Sequence, residues 1–347
     1  GLVHQLPHKS RSLSGIGIGL PGTVDPESQL MLNGNTSLFV GQSLKYDLKK
    51  ILRNEALPII IENDANCFTL AETKMGAGML YEKEVGIPWK EQISIGIILG
   101  TGVGGGLVHQ GQIFRGRKGG GIEVGHGPLG SRLEGRTCFC GLRGCAETYL
   151  SGTALIADFK RESSGLLPEG VDPGNFIFEQ SEDKSSVFYK IVSNYKRNLS
   201  LFLVNLTNIF DPDYFVLGGG VSKQLSLYQS LEKDIIEKSF VPESSPKVYQ
   251  HKIGDSAGVL GAAFLIKSLL DSNKNQSMLK FKSDYEKRKI ENLQKLAGIC
   301  VNFPFLRPII PFLCKLPLTK FYHFLFYVHL GYSHKIKSQP VKIKTLL

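Results

Sequence analysis

The sequence predicts an α/β protein of two domains, on three observations. Apolar runs of strand length, at residues 15–20, 57–61, 93–99 and 214–217, alternate with longer stretches whose apolar residues recur at helical spacing. Turn-forming residues follow each of these strands: Pro21-Gly22, Glu62-Asn63-Asp64, the glycine run 100–106 and the glycines 218–220. The length of 347 residues and a hydrophobic content of 42% allow two substantial cores. The expected division is 1–90 for the first domain, 91–270 for a larger second one and 271–347 for a tail, with the last helix, 258–270, free to pack back on the first domain.

Residues 15–20 read as a buried strand in which Gly and Ile alternate, and glycines within a strand mark close approach of backbone or ligand. The loop after Pro21-Gly22 runs through Asn33 and Asn35, whose amides suit either a turn or a polyhydroxy ligand. Residues 46–55 carry an amphipathic helix and 57–61 a β-branched strand. Glu62-Asn63-Asp64-Ala65-Asn66 then opens a helical run to about Met75. A carboxylate at a strand end beside a helix N-terminus is kept ionised by the backbone dipoles. Asp64 is therefore placed either to accept a proton or, like Asn63, to cap the helix.

The strand 93–99 enters Gly100-Thr101-Gly102-Val103-Gly104-Gly105-Gly106. Gly100, Gly102 and Gly105 have the GxGxxG spacing, but dinucleotide binding requires a helix next. Residues 107–114, with Gln110-Gly111 at their centre, read instead as a β-hairpin, and no Gly-Lys-Ser/Thr makes this a Walker loop. What remains is a tight turn whose amides and Thr101 hydroxyl cradle phosphate oxygens.

Between residues 119 and 152 stand His126, Cys138, Cys140 and Cys145, with Gly135, Gly141 and Gly144 permitting sharp turns. Three thiols and an imidazole are what tetrahedral Zn²⁺ takes. A disulfide between Cys138 and Cys140 would be strained, and buried unpaired cysteines are the alternative. Four protein ligands leave no open position, so the metal is structural and holds the flanking carboxylates Glu123 and Glu147 in place. Helical patterns follow at 147–160 and 186–210, the latter closed by Asp211-Pro212. The strand 214–217 runs into Gly218-Gly219-Gly220 and a helix near 225–238, a junction suited to the edge of a nucleotide. A short strand at 248–250 and the helix 258–270 complete the body.

The net charge is +10, but it is not spread over the chain. From Ser272 onward there are fourteen Lys/Arg against three Asp/Glu, so residues 1–271 carry a net charge of −1. A chain-wide nucleic-acid surface is therefore unsupported. Residues 1–14 lack the apolar core of a secretory signal, and thiols serving a metal fit a reducing, cytoplasmic setting.

Six segments in one order resemble the ROK family of sugar kinases and related repressors: Gly19-Leu20-Pro21-Gly22, Glu62-Asn63-Asp64-Ala65-Asn66, Leu99 to Gly106, Glu123-Val124-Gly125-His126, Cys138-Phe139-Cys140-Gly141-Leu142-Arg143-Gly144-Cys145-Ala146-Glu147 and Gly218-Gly219-Gly220-Val221. The resemblance spans residues 14 to 270. It implies an actin-like, ribonuclease-H-like fold of two α/β domains with ATP and sugar between them, and homodimers. Carried over by position, Asp64 is the catalytic base, and Asn63, Glu123, His126 and Glu147 contact the sugar, His126 serving sugar and Zn²⁺ through its two ring nitrogens. Asn35 joins the sugar contacts from its loop. Gly100, Thr101, Gly102 and Gly104 form a phosphate loop, and Gly218, Gly219 and Gly220 meet the adenosine. The implied reaction is phosphoryl transfer from Mg²⁺·ATP to a hydroxyl of a hexose or N-acetylhexosamine. Asn66-Cys67-Phe68 leans towards N-acetylglucosamine kinases, whereas Gly127-Pro128-Leu129 after His126 and the sequence from Glu147 to Thr153 lean towards fructose or mannose kinases. The family's Asp-x-Gly-Gly-Thr loop, which precedes the position of Gly15, is absent from these residues. Its absence implies unpaired sheet edges and a fragment without its full chemistry. A sugar-responsive regulator and a non-catalytic sugar-binding remnant are the competing expectations.

The tail is read as a charged helix at 280–296 followed by an apolar, aromatic stretch that Arg307, Lys315, Lys320 and four prolines interrupt. No apolar run reaches the roughly twenty residues of a membrane span. Peripheral membrane contact is weighed for this stretch, with packing on the body or a partner, or lack of fixed structure, favoured over it.

Overall fold

A computed structural model of the protein describes residues 13–34, 37–163, 167–243, 245–275 and 325–330. Asn35 and the tail helix expected at 280–296 lie outside the described residues. Contacts divide the chain into two units: Gly1–Phe68, Arg117–Gly119 and Asp255–Leu347 form one, Thr69–Gly116 and Gly120–Gly254 the other. This differs from the division at residue 90. The chain leaves the first unit within a helix, where unbroken periodicity gives no linker signal.

In the first unit β1 (Leu13–Leu20) is two-faced because Gly and Ile alternate. Its Ile16, Ile18 and Leu20 enter the core. A small hairpin follows, β2 (Thr23–Val24) and β3 (Met31–Asn33), whose two- and three-residue strands carry no periodic signal. Ser43 caps α1 (Leu44–Leu52), and Arg53 ends it in the left-handed conformation, sooner than the sequence pattern implied. The strand β4 (Ile59–Asn63) lies parallel to β1, Ile16 opposite Ile59 and Leu20 opposite Asn63. Leu44, Leu48, Ile59 and Ile61 complete the core against β1. At its end begins α2 (Asp64–Met75), the helix that passes into the second unit.

The second unit continues with α3 (Ala77–Val85), then β5 (Ile93–Leu99), β6 (Val103–His109) and β7 (Gln112–Ile113). Gly104–Gly106 thus belong to a strand rather than to a loop, pairing antiparallel with Ile98, Ile97 and Gly96. The strand that follows the glycine turn rules out the dinucleotide reading, as expected. The helix expected at 147–160 is two, α4 (Glu147–Leu150) and α5 (Gly152–Glu162), because the Ser151 side chain caps the second at Ala154 N. Two more helices follow, α6 (Pro173–Glu179) and the 24-residue α7 (Val187–Phe210). Both they and α5 pack on the sheet through one large core that includes Leu155, Phe159, Ile177, Leu199 and Leu203. Parallel to β5 runs β8 (Tyr214–Gly218). Two short 3₁₀ turns stand where the helix after Gly220 was expected, and the helix α8 is confined to Leu231–Lys238. With β9 (Lys247–Gln250) the sheet order is β7-β6-β5-β8-β9.

The chain then returns to the first unit through α9 (Ala257–Asn275), which lies on the glycine face of β1. A Cβ at Gly17 would stand 2.1 Å from Ala262 O, so the alternation of glycines is what lets this helix seat. The outer edge of β1, expected to be unpaired, is taken by β10 (Leu325–Leu330), antiparallel, with Ile16 opposite Val328 and Ile18 opposite Phe326. Among the described residues no helix is long and apolar enough to cross a membrane.

Candidate functional site

In the first unit, the site residues stand at the C-terminal end of β4. Asn63 caps α2: its Oδ1 accepts from Ala65 N at 2.9 Å and Asn66 N at 3.2 Å, and its Nδ2 donates to Gly22 O at 3.0 Å. The capping role left open between Asn63 and Asp64 thus goes to Asn63, whose amide also pins the Pro21-Gly22 loop. Asp64 is the first residue of the helix, half-buried, with Oδ1 accepting from Ala65 N at 2.9 Å. Behind it, the buried Glu62 accepts from Asn63 N and from Asn66 Nδ2, which fixes the turn from strand to helix. Asn33 ends β3 rather than sitting in a turn, its Oδ1 accepting from Thr23 N across the hairpin at 3.0 Å.

In the second unit two glycine junctions meet at the C-terminal ends of the neighbouring parallel strands β5 and β8, where open α/β sheets bind ligands. Gly100, Thr101 and Gly102 make the turn, closed by Gly100 N donating to Gly102 O at 3.0 Å, while Gly104 sits in β6. Gly218 ends β8 opposite Ile98. Gly219 has φ +85°, and a Cβ there would come 2.4 Å from Leu99 O, whereas beside Gly220 a Cβ would meet open space. A ligand edge can approach Gly220 closely.

The cysteine-rich segment lies beside this turn. His126 Nδ1 is 3.6 Å from Cys138 Sγ, Cys140 Sγ is 3.7 Å from Cys145 Sγ, and the four ligand atoms all lie within 4.8 Å of one another. A tetrahedral Zn²⁺ with bonds of about 2.0–2.3 Å spaces its ligand atoms about 3.3–3.8 Å apart, so the residues fit such an ion with little movement. No disulfide joins any of these thiols. Gly141 and Gly144 turn the chain at φ +87° and +72°, while Gly135 is needed for close approach, a Cβ there falling 2.2 Å from Ser131 O. Without metal, burial above all pushes the Cys138 thiol up to about 12. An incoming cation must therefore displace protons.

Two arginines that the spacing argument passed over hold this segment. Arg132 Nη1 donates to Cys145 Sγ at 3.2 Å and its Nη2 to His126 O at 2.9 Å, an outer contact that fixes a ligand as second-layer partners do. Arg136 donates to Thr148 O at 2.7 Å, pairs with Asp158 at 3.0 Å and lies over the Tyr149 ring at 4.4 Å. The only signal in the sequence was their place between His126 and Cys140.

Glu123, exposed, precedes the 3₁₀ turn Val124–His126. It follows Ile122, buried and at φ +64°, a conformation that β-branched residues avoid and that gathers at functional sites. Glu147 opens α4, with Oε2 accepting from Val103 N at 3.0 Å and Oε1 4.0 Å from Cys138 Sγ. The second unit therefore gathers Glu147, the four candidate metal ligands and the glycine turn, while Asn63 and Asp64 belong to the first.

Comparison with known proteins assigns a lineage to this arrangement. Residues 1–269 match the ROK family. The chain is 34% identical over 277 residues to the N-acetyl-D-glucosamine kinase of Vibrio cholerae serotype O1, covering 76% of this chain and 84% of that one. A ROK family glucokinase from Streptomyces griseus, solved with glucose and AMPPNP, superposes with a TM-score of 0.61 at 30% identity, over 74% of this chain and 82% of that chain. A ROK family transcriptional regulator, a homologue of the E. coli MLC protein, gives a TM-score of 0.58 at 25% identity, over 72% of this chain and 61% of its own.

Proposed function

This chain belongs to the ROK family and has its α/β, actin-like ATPase fold, and on that premise we propose that it is a sugar kinase that transfers the terminal phosphoryl group of Mg²⁺·ATP to a hydroxyl of N-acetyl-D-glucosamine. The observation that carries the reading is the similarity to N-acetyl-D-glucosamine kinases along most of both chains. It also favours the N-acetylhexosamine over the hexose substrates. Asp64, held at the first turn of α2, takes the proton of the attacking hydroxyl, a role that typically contributes about 10²–10⁴-fold. The remainder comes from orientation and from neutralising phosphate charge. Glu123, Glu147, His126 and Asn63 contact sugar hydroxyls. The amide of Gly102 and the Thr101 hydroxyl cradle phosphate oxygens, and the open side of Gly220 meets the adenosine.

His126, Cys138, Cys140 and Cys145 would hold one Zn²⁺, which with four protein ligands would be structural and would crosslink the segment that carries Glu123 and Glu147. A reducing, cytoplasmic setting suits thiols kept for a metal. Two copies assemble as a homodimer, which light scattering of the purified protein checks.

The test is a coupled assay over N-acetylglucosamine, N-acetylmannosamine, glucose, mannose and fructose. Phosphorylation of N-acetylglucosamine, lost in Asp64→Asn while sugar binding by calorimetry persists, supports the assignment. Near-normal kcat in Asp64→Asn removes Asp64 from the base role. The second reading, a sugar-responsive regulator, draws on the likeness to the ROK regulator and expects sugar binding with no phosphoryl transfer by either form.

A further inference from the structure

We infer that Glu147 is the positioning residue of the glycine turn: one carboxylate oxygen holds the turn's backbone while the other stays with the sugar and metal side of the site. What the turn holds rests on the kinase reading above. The attachment itself rests on the geometry.

The backbone of Val103, where the turn becomes β6, is approached from two directions. Its N–H donates to Glu147 Oε2 at 3.0 Å. Its carbonyl faces Gly125 so closely that a Cβ there would stand 2.0 Å from Val103 O. A Cβ at Gly102 would fall 2.5 Å from Glu147 Oε2, so a side chain there would displace the carboxylate from Val103. Two further ties come from the helix after Glu147: Gly152 N donates to Gly100 O at 2.7 Å, and Thr153 Oγ1 to Thr101 O at 2.9 Å. Every partner in this set comes from residues 125–153, the stretch that carries the four candidate metal ligands.

Glu147 is the member of the set that also faces the ligands, with Oε1 4.0 Å from Cys138 Sγ. On the kinase reading, Oε1 is the carboxylate oxygen left to accept from a sugar hydroxyl. Oε2 remains on Val103. A sugar that orders the Glu147 side chain thereby orders the phosphate turn, and by linkage a nucleotide that orders the turn favours the sugar by the same factor. Simple sugar contact would give no such link.

The full-length protein and its Glu147→Ala and Glu147→Gln variants separate these. Gln keeps a carbonyl oxygen for the Val103 N–H, whereas Ala removes the acceptor. Two readouts are taken: calorimetric affinity for the Mg²⁺ complex of AMPPNP without sugar, and hydrogen exchange at Val103 with β8 amides as an internal reference. The expected result is nucleotide binding weakened at least fivefold in Ala and less than twofold in Gln, with Val103 exchange accelerated at least tenfold in Ala alone. Chelation of the metal should accelerate exchange at Val103 as well, with β8 unchanged. Wild-type binding and Val103 exchange in Glu147→Ala would overturn the assignment, as would equal losses in Ala and Gln. If the wild-type chain binds no AMPPNP the kinase reading fails, and Val103 exchange still decides whether Glu147 holds the turn.

Discussion

Glu72 lies fully buried in α2, and its carboxylate is occupied by three backbone N–H groups from two other places in the chain. Oε2 accepts from Ala77 N at 3.1 Å, Oε1 accepts from Ile253 N at 2.9 Å, and Lys252 N reaches both oxygens at 3.0 and 3.1 Å. Glu72→Ala would strand all three donors. The Ala77 N–H is sealed from water and bears the full penalty of an unpaired buried group, roughly 1–3 kcal/mol. Those of the exposed Lys252 and the half-buried Ile253 recover part of their loss from water, leaving about 1 kcal/mol each. Relief from burying the charge offsets little, since the carboxylate is already well solvated by the peptide dipoles. The expected loss is therefore roughly 3–5 kcal/mol, a large share of the 5–15 kcal/mol that holds a domain folded. Glu72→Gln, which keeps one acceptor and turns an amide NH₂ against the other donors, should lose roughly half as much. Urea denaturation followed by circular dichroism measures both. A loss under about 1 kcal/mol for Ala, or a Gln variant weaker than Ala, would refute the reasoning.

Three other outcomes follow from the geometry. Gly261→Ala drives a Cβ to within 1.9 Å of Cys67 O, a backbone atom that cannot swing aside, so melting should show a loss at or above the roughly 1–3 kcal/mol of ordinary overpacking; an unchanged Tm would show that α9 slides freely on α2. Metal retention should fall as the medium is acidified, because protons compete for Cys138, Cys140 and Cys145, and Cys138→Ser should purify with little zinc by elemental analysis; full retention at pH 5 would count against thiolate ligation. Asp25 is held below the usual carboxylate range, first by the N–H groups of Ser28 and Glu27 and then by Lys118. Its folded form is the stronger acid, so its contribution to stability is present above the ordinary value of 3.8 and disappears as pH falls through the folded value. Asp25→Asn should flatten the stability profile in that acid range, and an unaltered profile would exclude the residue.

Periodic segments were readable in advance because burial imposes a period: β5, β8 and α7 fell where their apolar residues said they would. The candidate metal cluster was readable because four residues of ligand type, one His and three Cys, stand close in the chain. What escaped had a cause in each case. The two strands at 23–24 and 31–33 are shorter than any period. The break at Ser151 is made by a single hydroxyl, and Gly104–Gly106 belong to a strand whose partner, not its own composition, defines it. Arg132 and Arg136 act through contacts that sequence spacing does not encode. The tie between Glu147 and Val103 joins residues far apart in the chain, and spacing suggested only that Glu147 would be held in place.

The bareness of β6 has a further consequence for anyone wishing to move the cysteine-rich loop elsewhere. At Gly105 an added methyl would collide with Val124 Cγ2 at 2.5 Å, and at Gly125 with the carbonyl of Val103. The loop is thus moulded to a naked ribbon of backbone, and a graft onto a host whose strand bears ordinary side chains would lift it away. To transplant the knot, the unadorned strand must travel with it.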